Sequence, residues 1–291
     1  TGVIQSMKFP EKDAEENIIN SIKLFQFLKD YKIKKIIFSS SMGVLGDNLL
    51  SSNLSCHNPL NFYAASKSSV ENYLNVFKKT YGIKTFILRF SNVYGKFSKK
   101  KLSVVAAFFK SIIGNNKVSV NGNGNQFRDF LFVDDLVEVI EKLLFTKKYD
   151  YLNKKPIHVA TGKSFTINQL VKIFKKDLGI KFKILKKKGS IGDIKKSFVK
   201  INEVRKLKKN FTSITKGLKI TYHWYKKNYW FMKILILGAD GYLGWPTSMF
   251  FSKHGHDVKI FDNFVKKKIE NEENIKPLFP QIPLAERVNL W

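Results

Sequence analysis

Lys35-Ile36-Ile37-Phe38-Ser39-Ser40-Ser41, followed downstream by Asn61-Phe62-Tyr63-Ala64-Ala65-Ser66-Lys67, is the stretch on which the fold turns. The apolar run Ile36-Ile37-Phe38, bounded by lysines and serines, reads as a short buried strand. Tyr63 and Lys67 open a helix expected over Ala64 to Thr80, and their spacing of one helical turn puts both side chains on one face. Phe86-Ile87-Leu88 then marks a second strand from Thr85 to Phe90. Upstream, Glu15 to Asp30 sets Ile18, Ile19, Ile22, Phe25 and Leu28 at helical spacing and leaves Lys23 and Lys29 toward solvent. Helices alternating with short buried strands predict an α/β fold built on a Rossmann-like parallel sheet.

The pattern continues through a helix over Leu102 to Ile113, a strand at Val118 to Val120, a helix over Val133 to Phe145 and a strand at Ile157-His158-Val159. A helix at Ile167 to Lys176 and smaller strands at Lys181 to Leu185 and Ser197 to Val199 follow, then a helix around Ile214 to Tyr229. These later elements suit a smaller substrate-binding region. The chemistry-bearing residues lie earlier. A lysine ammonium beside a tyrosine favours the tyrosinate and makes Tyr63 a candidate acid and base for alcohol and ketone chemistry. Ser41, at the end of its strand, can donate a hydrogen bond to the reacting oxygen.

Near the C-terminus a second strong strand, Met232-Lys233-Ile234-Leu235-Ile236-Leu237, runs into Gly238-Ala239-Asp240-Gly241-Tyr242-Leu243-Gly244. A helix and a strand at Asp257 to Phe261 should follow. Glycines at this Gly-x-x-Gly-x-x-Gly spacing permit a tight turn and let backbone N–H groups approach a pyrophosphate, so Gly238, Gly241 and Gly244 are candidate dinucleotide contacts. Asp262, at the end of the next strand, is placed to accept from adenosine ribose hydroxyls and to favour NAD over its phosphorylated form.

Composition narrows the remaining classes. A chain of 291 residues that is 44% hydrophobic and 14% aromatic has the means to build a core. The single cysteine, Cys56, excludes an internal disulfide framework. No apolar run reaches the roughly 20 residues that a membrane-spanning helix needs, and the first residues lack the order of a signal peptide. A formal charge of +29, from 52 Lys and Arg against 23 Asp and Glu, attracts polyanions in general. The charge is dispersed lysine rather than arginine interleaved with aromatics, so no specific nucleic-acid partner is expected. The five histidines show no ligand spacing, and no metal site is expected.

Lys35 to Gly46 resembles the serine-rich strand end of the extended short-chain dehydrogenase/reductases, above all the NAD-dependent sugar-nucleotide 4-epimerases and dehydratases. Asn61 to Lys67 is similar to their Tyr-x-x-x-Lys segment. Arg89-Phe90-Ser91-Asn92-Val93-Tyr94-Gly95 and Gln126-Phe127-Arg128-Asp129-Phe130-Leu131-Phe132-Val133-Asp134-Asp135 match two later motifs. The resemblance runs from about Ser6 to Trp230. It implies NAD as cofactor, Ser41, Tyr63 and Lys67 as the catalytic group, and Lys67 as a cofactor contact that also lowers the tyrosine pKa. It further implies substrate contacts at Asn92 and, through the diphosphate, at Arg128. The reaction implied is epimerisation of a UDP-sugar or other nucleoside-diphosphate sugar through a keto-sugar intermediate. Met42 and Gly43 stand where dehydratases commonly carry an acid/base pair, which favours the epimerase, and Leu45 replaces the usual tyrosine before Gly46. A cytoplasmic location and a homodimer are further implications.

The order of these parts differs from that of the family. Residues 1–230 read as the C-terminal type of part, catalytic and substrate-binding, whereas 232–291 read as an N-terminal dinucleotide-binding unit and resemble the start of the UDP-sulfoquinovose synthases. Two readings stay open: the tail completes the sheet non-sequentially, or two enzyme pieces are joined and the sheet is incomplete. The second reading carries the alternatives of a catalytically impaired fusion, a structural or interaction protein, and an enzyme related to UDP-sulfoquinovose synthase.

Overall fold

A computed structural model of the chain describes residues 2–31, 33–50, 57–188, 201–228, 232–254, 256–275, 282–283 and 286–287. Cys56 and the strand expected at Ser197 to Val199 lie outside the described residues. The elements in order are α1 (Val3–Lys8), α2 (Pro10–Ala14), a π-helical turn over Glu15–Ile19, α3 (Asn20–Asp30), β1 (Lys35–Ser41), a 3-10 stretch over Met42–Leu50, α4 (Phe62–Tyr81), β2 (Lys84–Phe90) and β3 (Asn92–Tyr94). Next come α5 (Val104–Asn115), β4 (Lys117–Asn121), β5 (Phe127–Phe132), α6 (Val133–Phe145), a second 3-10 stretch over Lys147–Lys154, β6 (Ile157–Val159), β7 (Ser164–Thr166), α7 (Ile167–Lys176), β8 (Lys183–Lys187), α8 (Asn202–Leu207) and α9 (Ile214–Asn228). The last are β9 (Lys233–Leu237), α10 (Gly244–Lys253), β10 (Asp257–Phe261) and α11 (Val265–Glu272). The chain divides into two compact units, Thr1–Tyr225 and Lys226–Trp291.

The first unit is built on the parallel sheet β1-β2-β6, with β2 in the middle. Register runs from Lys35 opposite Lys84 to Ser41 opposite Phe90. Successive strand side chains point to opposite faces, and both faces of this sheet are covered. Ile36 and Ile87 pack with Phe25 of α3, Val70 and Leu74 of α4, and Ile83. Phe86 and Leu88 pack on the other side with Leu136, Val139 and Leu143 of α6 and Val204 and Leu207 of α8. Each such side chain contributes roughly 1.5–3 kcal/mol by leaving water. This is the α/β, parallel-sheet architecture that the alternating pattern predicts.

Two departures from the sequence reading have local causes. Ile19, expected on the buried face, is 46% exposed. It closes the π-helical turn, whose extra residue shifts the helical phase and rotates Ile19 outward. Phe127–Phe132, visible in the sequence only as a motif, is a strand: β5 lies between β3, parallel to it, and β7, antiparallel to it.

Beyond the main sheet, β4 and β8 form a parallel pair. Helices α5, α7 and α9 meet through their rings, with Phe109 4.8 Å from Phe174 and 5.2 Å from Tyr225 between centroids. In the second unit β9 and β10 form a two-stranded parallel sheet, joined through the Gly238 turn and α10. Ile234 and Ile236 are half-buried, whereas Leu235 and Leu237 on the alternate face are exposed.

Candidate functional site

Strand β1 ends at Ser41, and the chain then turns tightly against the start of α4. The Ser41 hydroxyl oxygen accepts the Gly43 N–H at 3.1 Å. A Cβ added to Gly43 would stand 3.3 Å from that oxygen and 3.4 Å from the Ala64 Cβ, so Ser41 and the first turn of α4 adjoin. Asn61 caps that helix by accepting the Ala64 N–H at 3.0 Å. Tyr63 and Lys67 share a face as their spacing requires: the Lys67 ammonium lies 5.7 Å from the centre of the Tyr63 ring and 5.0 Å from that of Phe38 on β1. All three candidate catalytic side chains are half-buried.

Electrostatics in this corner depart from the expectation that Lys67 draws the tyrosine pKa down. Burial pushes the Tyr63 phenol above its ordinary 10.0, and the negative charge of Asp13 adds to the rise. Burial also pulls the Lys67 ammonium below 10.5, with Asp13 opposing. Desolvation penalises both charged forms and is the larger cause at each group, with Asp13 second. Asp13, which sequence reasoning passed over, is 2% exposed and accepts the Ser66 hydroxyl at 2.5 Å and the Asn17 amide at 3.0 Å. Ser6, on α1, likewise accepts the Tyr63 N–H at 3.1 Å. Both residues look in the sequence like ordinary polar positions on short helices.

Asn92 and Arg128 lie on the paired strands β3 and β5. The Asn92 side-chain amide donates to the Asp129 carbonyl at 3.3 Å, and Arg128 donates to the Phe127 carbonyl at 2.7 Å. Asp129 between them is buried and organises the neighbouring turn. Its carboxylate accepts the Thr161 N–H at 3.0 Å and the Gly162 N–H at 2.8 Å.

In the second unit, Gly238 adopts a left-handed backbone with φ of +70°, where a side chain would be strained. A Cβ on Gly244 would meet the Gly238 carbonyl oxygen at 2.1 Å, so the start of α10 packs directly on the turn. Gly241 donates its N–H to that same oxygen at 3.2 Å. Asp262 ties the turn to the end of β10. One carboxylate oxygen accepts the Asp240 N–H and the other the Phe264 N–H, each at 2.7 Å. These bonds hold its carboxyl below the ordinary 3.8. Asp240 itself pairs with Lys267 at 2.8 Å and with Arg287.

Residues 1–153 match the family described as NAD dependent epimerase/dehydratase. The chain is 30% identical over 232 residues to a putative UDP-glucose 4-epimerase of Methanocaldococcus jannaschii, a match that covers 78% of this chain and 74% of that one. The chain belongs to the NAD-dependent epimerase/dehydratase family. Among solved members, a UDP-N-acetylglucosamine 4-epimerase from Methanobrevibacter ruminantium M1, in complex with UDP-N-acetylmuramic acid, is 30% identical with a TM-score of 0.68 over 78% of this chain and 74% of that one. A UDP-glucuronic acid 4-epimerase from Bacillus cereus, in complex with UDP-glucuronic acid and NAD, is 25% identical with a TM-score of 0.72 over 79% and 73%.

NAD is the cofactor of this epimerase/dehydratase family, and the Gly238 turn fits a dinucleotide. Its backbone is stripped of side chains where glycine packs on glycine, and each Asp262 oxygen retains accepting capacity beyond one backbone N–H. Family departures noted in the sequence are absorbed by packing. Met42 and Leu45 are buried in the hydrophobic core with Phe86 and Leu88. Gly46 is required where it stands, because a Cβ there would meet the Asn58 carbonyl at 1.9 Å and its φ is +53°. Among the described residues no three His, Cys, Asp or Glu side chains gather to hold a metal ion, and no helix is long and apolar enough to cross a membrane.

Proposed function

We propose that the chain catalyses NAD-dependent epimerisation of a nucleoside-diphosphate sugar, a UDP-sugar in the first instance, through a keto-sugar intermediate. The observation that carries this reading is the nearness of Ser41 to the first turn of α4, the helix on which Tyr63 and Lys67 share a face, in a member of this family. Ser41 accepts from Gly43, which leaves its own hydrogen to donate to the reacting sugar oxygen. Tyr63 takes the hydroxyl proton as the sugar is oxidised and gives it back on reduction. Lys67 holds ribose hydroxyls and favours the phenolate by its charge. When bound, NAD would supply the hydride acceptor and donor, and its oxidised form would carry a positive charge that favours the phenolate.

Asn92 is proposed to contact the sugar and Arg128 the diphosphate, with β3, β5 and the later helices as the substrate-binding region. Within the second unit, Gly238, Gly241, Gly244 and Asp262 are proposed as dinucleotide contacts. Met42 supports an epimerase over a dehydratase, since a thioether buried in the core supplies no acid or base. The proposal includes a cytoplasmic location, where NAD and nucleotide sugars are at hand. It also includes a homodimer, supported by apolar side chains exposed on α3 and α4, among them Phe27, Tyr73 and Val76.

The test is incubation of the purified chain with NAD and UDP-glucose, UDP-glucuronate or UDP-N-acetylglucosamine, with epimers resolved by chromatography. Absence of both epimer and reduced cofactor with well-folded protein would overturn the reading. A second reading, a cofactor-deficient structural or interaction protein, is favoured by the exposure of Leu235, Leu237 and Phe261 on β9 and β10. It expects cooperative folding without NAD binding, which a fluorescence titration with NADH distinguishes.

A further inference from the structure

We infer that Glu71 is a positioning residue for the proposed reaction: through Ser40 and Arg89 it locks the end of β1, which carries Ser41, to the helix that carries Tyr63 and Lys67. The inference rests on the function proposed above. Its starting point is the register of β1 and β2, which sets Ser40 opposite Arg89. Strand alternation puts Ser40 on the face of Ile36 and Phe38, and Arg89 on the face of Ile87, both toward α3 and α4. Glu71 stands one turn beyond Lys67 on α4 and reaches this face from above.

The contacts form a closed cluster. One Glu71 oxygen accepts the Ser40 hydroxyl and the Arg89 Nε–H, the latter at 3.0 Å. The other accepts the Arg89 Nη2–H at 2.6 Å, giving the paired geometry of guanidinium on carboxylate. His57 ties in the segment before α4. Its Nε2 lies 2.6 Å from Arg89 Nη2 and 3.2 Å from the Glu71 carboxylate. On the other side of the ring, Nδ1 lies 2.6 Å from the Ser68 hydroxyl, so the imidazole is held at both nitrogens. Glu71, Arg89 and Ser40 are 1%, 2% and 3% exposed.

A buried ion pair is a poor way to gain stability, because apolar side chains of similar volume commonly do as well. What it supplies is direction, since each bond is short, angular and anchored on a different element. Burial pushes the Glu71 carboxyl up, and the bonds from His57, Arg89 and Ser40 with the Arg89 charge more than reverse this, so the carboxylate stays ionised. Released, the end of β1 and the first turns of α4 can shift relative to each other. A misplacement of about 1 Å between reacting groups is enough to cost on the order of 100-fold in rate.

The experiment uses the full chain with Glu71→Gln, and with Ser40→Ala as a milder variant that keeps the charge pair. Ser40→Ala should lower kcat about tenfold with KM within about twofold, and Glu71→Gln should lower kcat about 100-fold. Ser41→Ala should cost far less in the Glu71→Gln background than in the wild type, because a misplaced Ser41 has little left to lose. The phenolate absorbance of Tyr63, taken by difference against Tyr63→Phe, should titrate at a shifted midpoint in Glu71→Gln. Retained kcat in the folded variant, or fully multiplicative losses with an unmoved Tyr63 midpoint, would show Glu71 to be architecture alone. If the wild type turns over no sugar nucleotide, the function reading has failed, and an unmoved Tyr63 midpoint then overturns the positioning role on its own. If Glu71→Gln does not fold, Ser40→Ala is judged by the same two readouts.

Discussion

The Lys67 ammonium lies 5.7 Å from the centre of the Tyr63 ring, yet burial and Asp13 still hold the phenol above its ordinary 10.0. The tyrosine titration of the cofactor-free protein should therefore contain a component above about pH 10 that disappears in Tyr63→Phe. A raised folded pKa contributes stability below 10.0 that is lost as pH rises through the folded value. Oxidised NAD should bring the midpoint down, and Tyr63→Phe should lower kcat by about 10²–10⁴-fold. A midpoint at or below the ordinary value without cofactor would refute the desolvation account.

Gly244→Ala forces a methyl group to within 2.1 Å of the Gly238 carbonyl oxygen. The start of α10 must then move off the turn, which displaces the backbone that a pyrophosphate would meet. NAD binding, followed by quenching of intrinsic fluorescence, should weaken at least about tenfold. Asp262→Ala should act in the same direction, because it strips the Asp240 and Phe264 N–H groups of their acceptor. Unchanged affinity in both variants would remove this turn from cofactor binding.

The β1–α4–β2 core was legible because Ile36-Ile37-Phe38, the Tyr63–Lys67 spacing and Phe86-Ile87-Leu88 each follow a period that their own element imposes. The π-helical turn before α3 was not, since nothing in Glu15 to Ile19 distinguishes an added residue from regular helix, and Ile19 was placed on the wrong face. Strand β5 was hidden for the opposite reason: Phe127 to Phe132 drew its meaning as a motif, and its alternation is broken by a run of buried residues from Asp129 on. Nothing in the sequence around Glu71 or Asp13 marks either carboxylate as buried. Only a register that sets Ser40 beside Arg89, and a helix pair that encloses Ser66, turn them inward.

Phe109 packs against the tilted ring of Phe174 and stacks on Tyr225, and it is fully buried, so it joins α5, α7 and α9. Truncation leaves a cavity that three helices cannot close together. Phe109→Ala should destabilise the protein by about 3–5 kcal/mol in urea unfolding. A loss below about 1 kcal/mol would mean that these rings repack, and that the helices are less tightly joined than their geometry indicates.

Glu71 and Asp129 are both buried carboxyls, but acid should act on them in opposite directions. Burial raises the Glu71 carboxyl, and its hydrogen bonds and Arg89 more than reverse this, so its folded pKa lies below 4.5. The stability it contributes is present above 4.5 and is lost as pH falls through the folded value. For Asp129, burial outweighs the bonds from Thr161, Gly162 and Ser91 and lifts the carboxyl above 3.8. Its contribution is full below 3.8 and is lost as pH rises through the folded value. Glu71→Gln should therefore cost most near neutrality, about 3–5 kcal/mol, because it leaves Arg89 buried beside a neutral partner. That cost should shrink in acid. Asp129→Asn, which mimics the protonated carboxyl but offers one acceptor oxygen in place of two, should cost about 1–3 kcal/mol and more in acid than at neutrality. Urea unfolding of the wild type and both variants, from about pH 7 to about pH 4, separates the trends; parallel pH dependences would show that the balance of burial against hydrogen bonding has been assigned wrongly at one of the two sites.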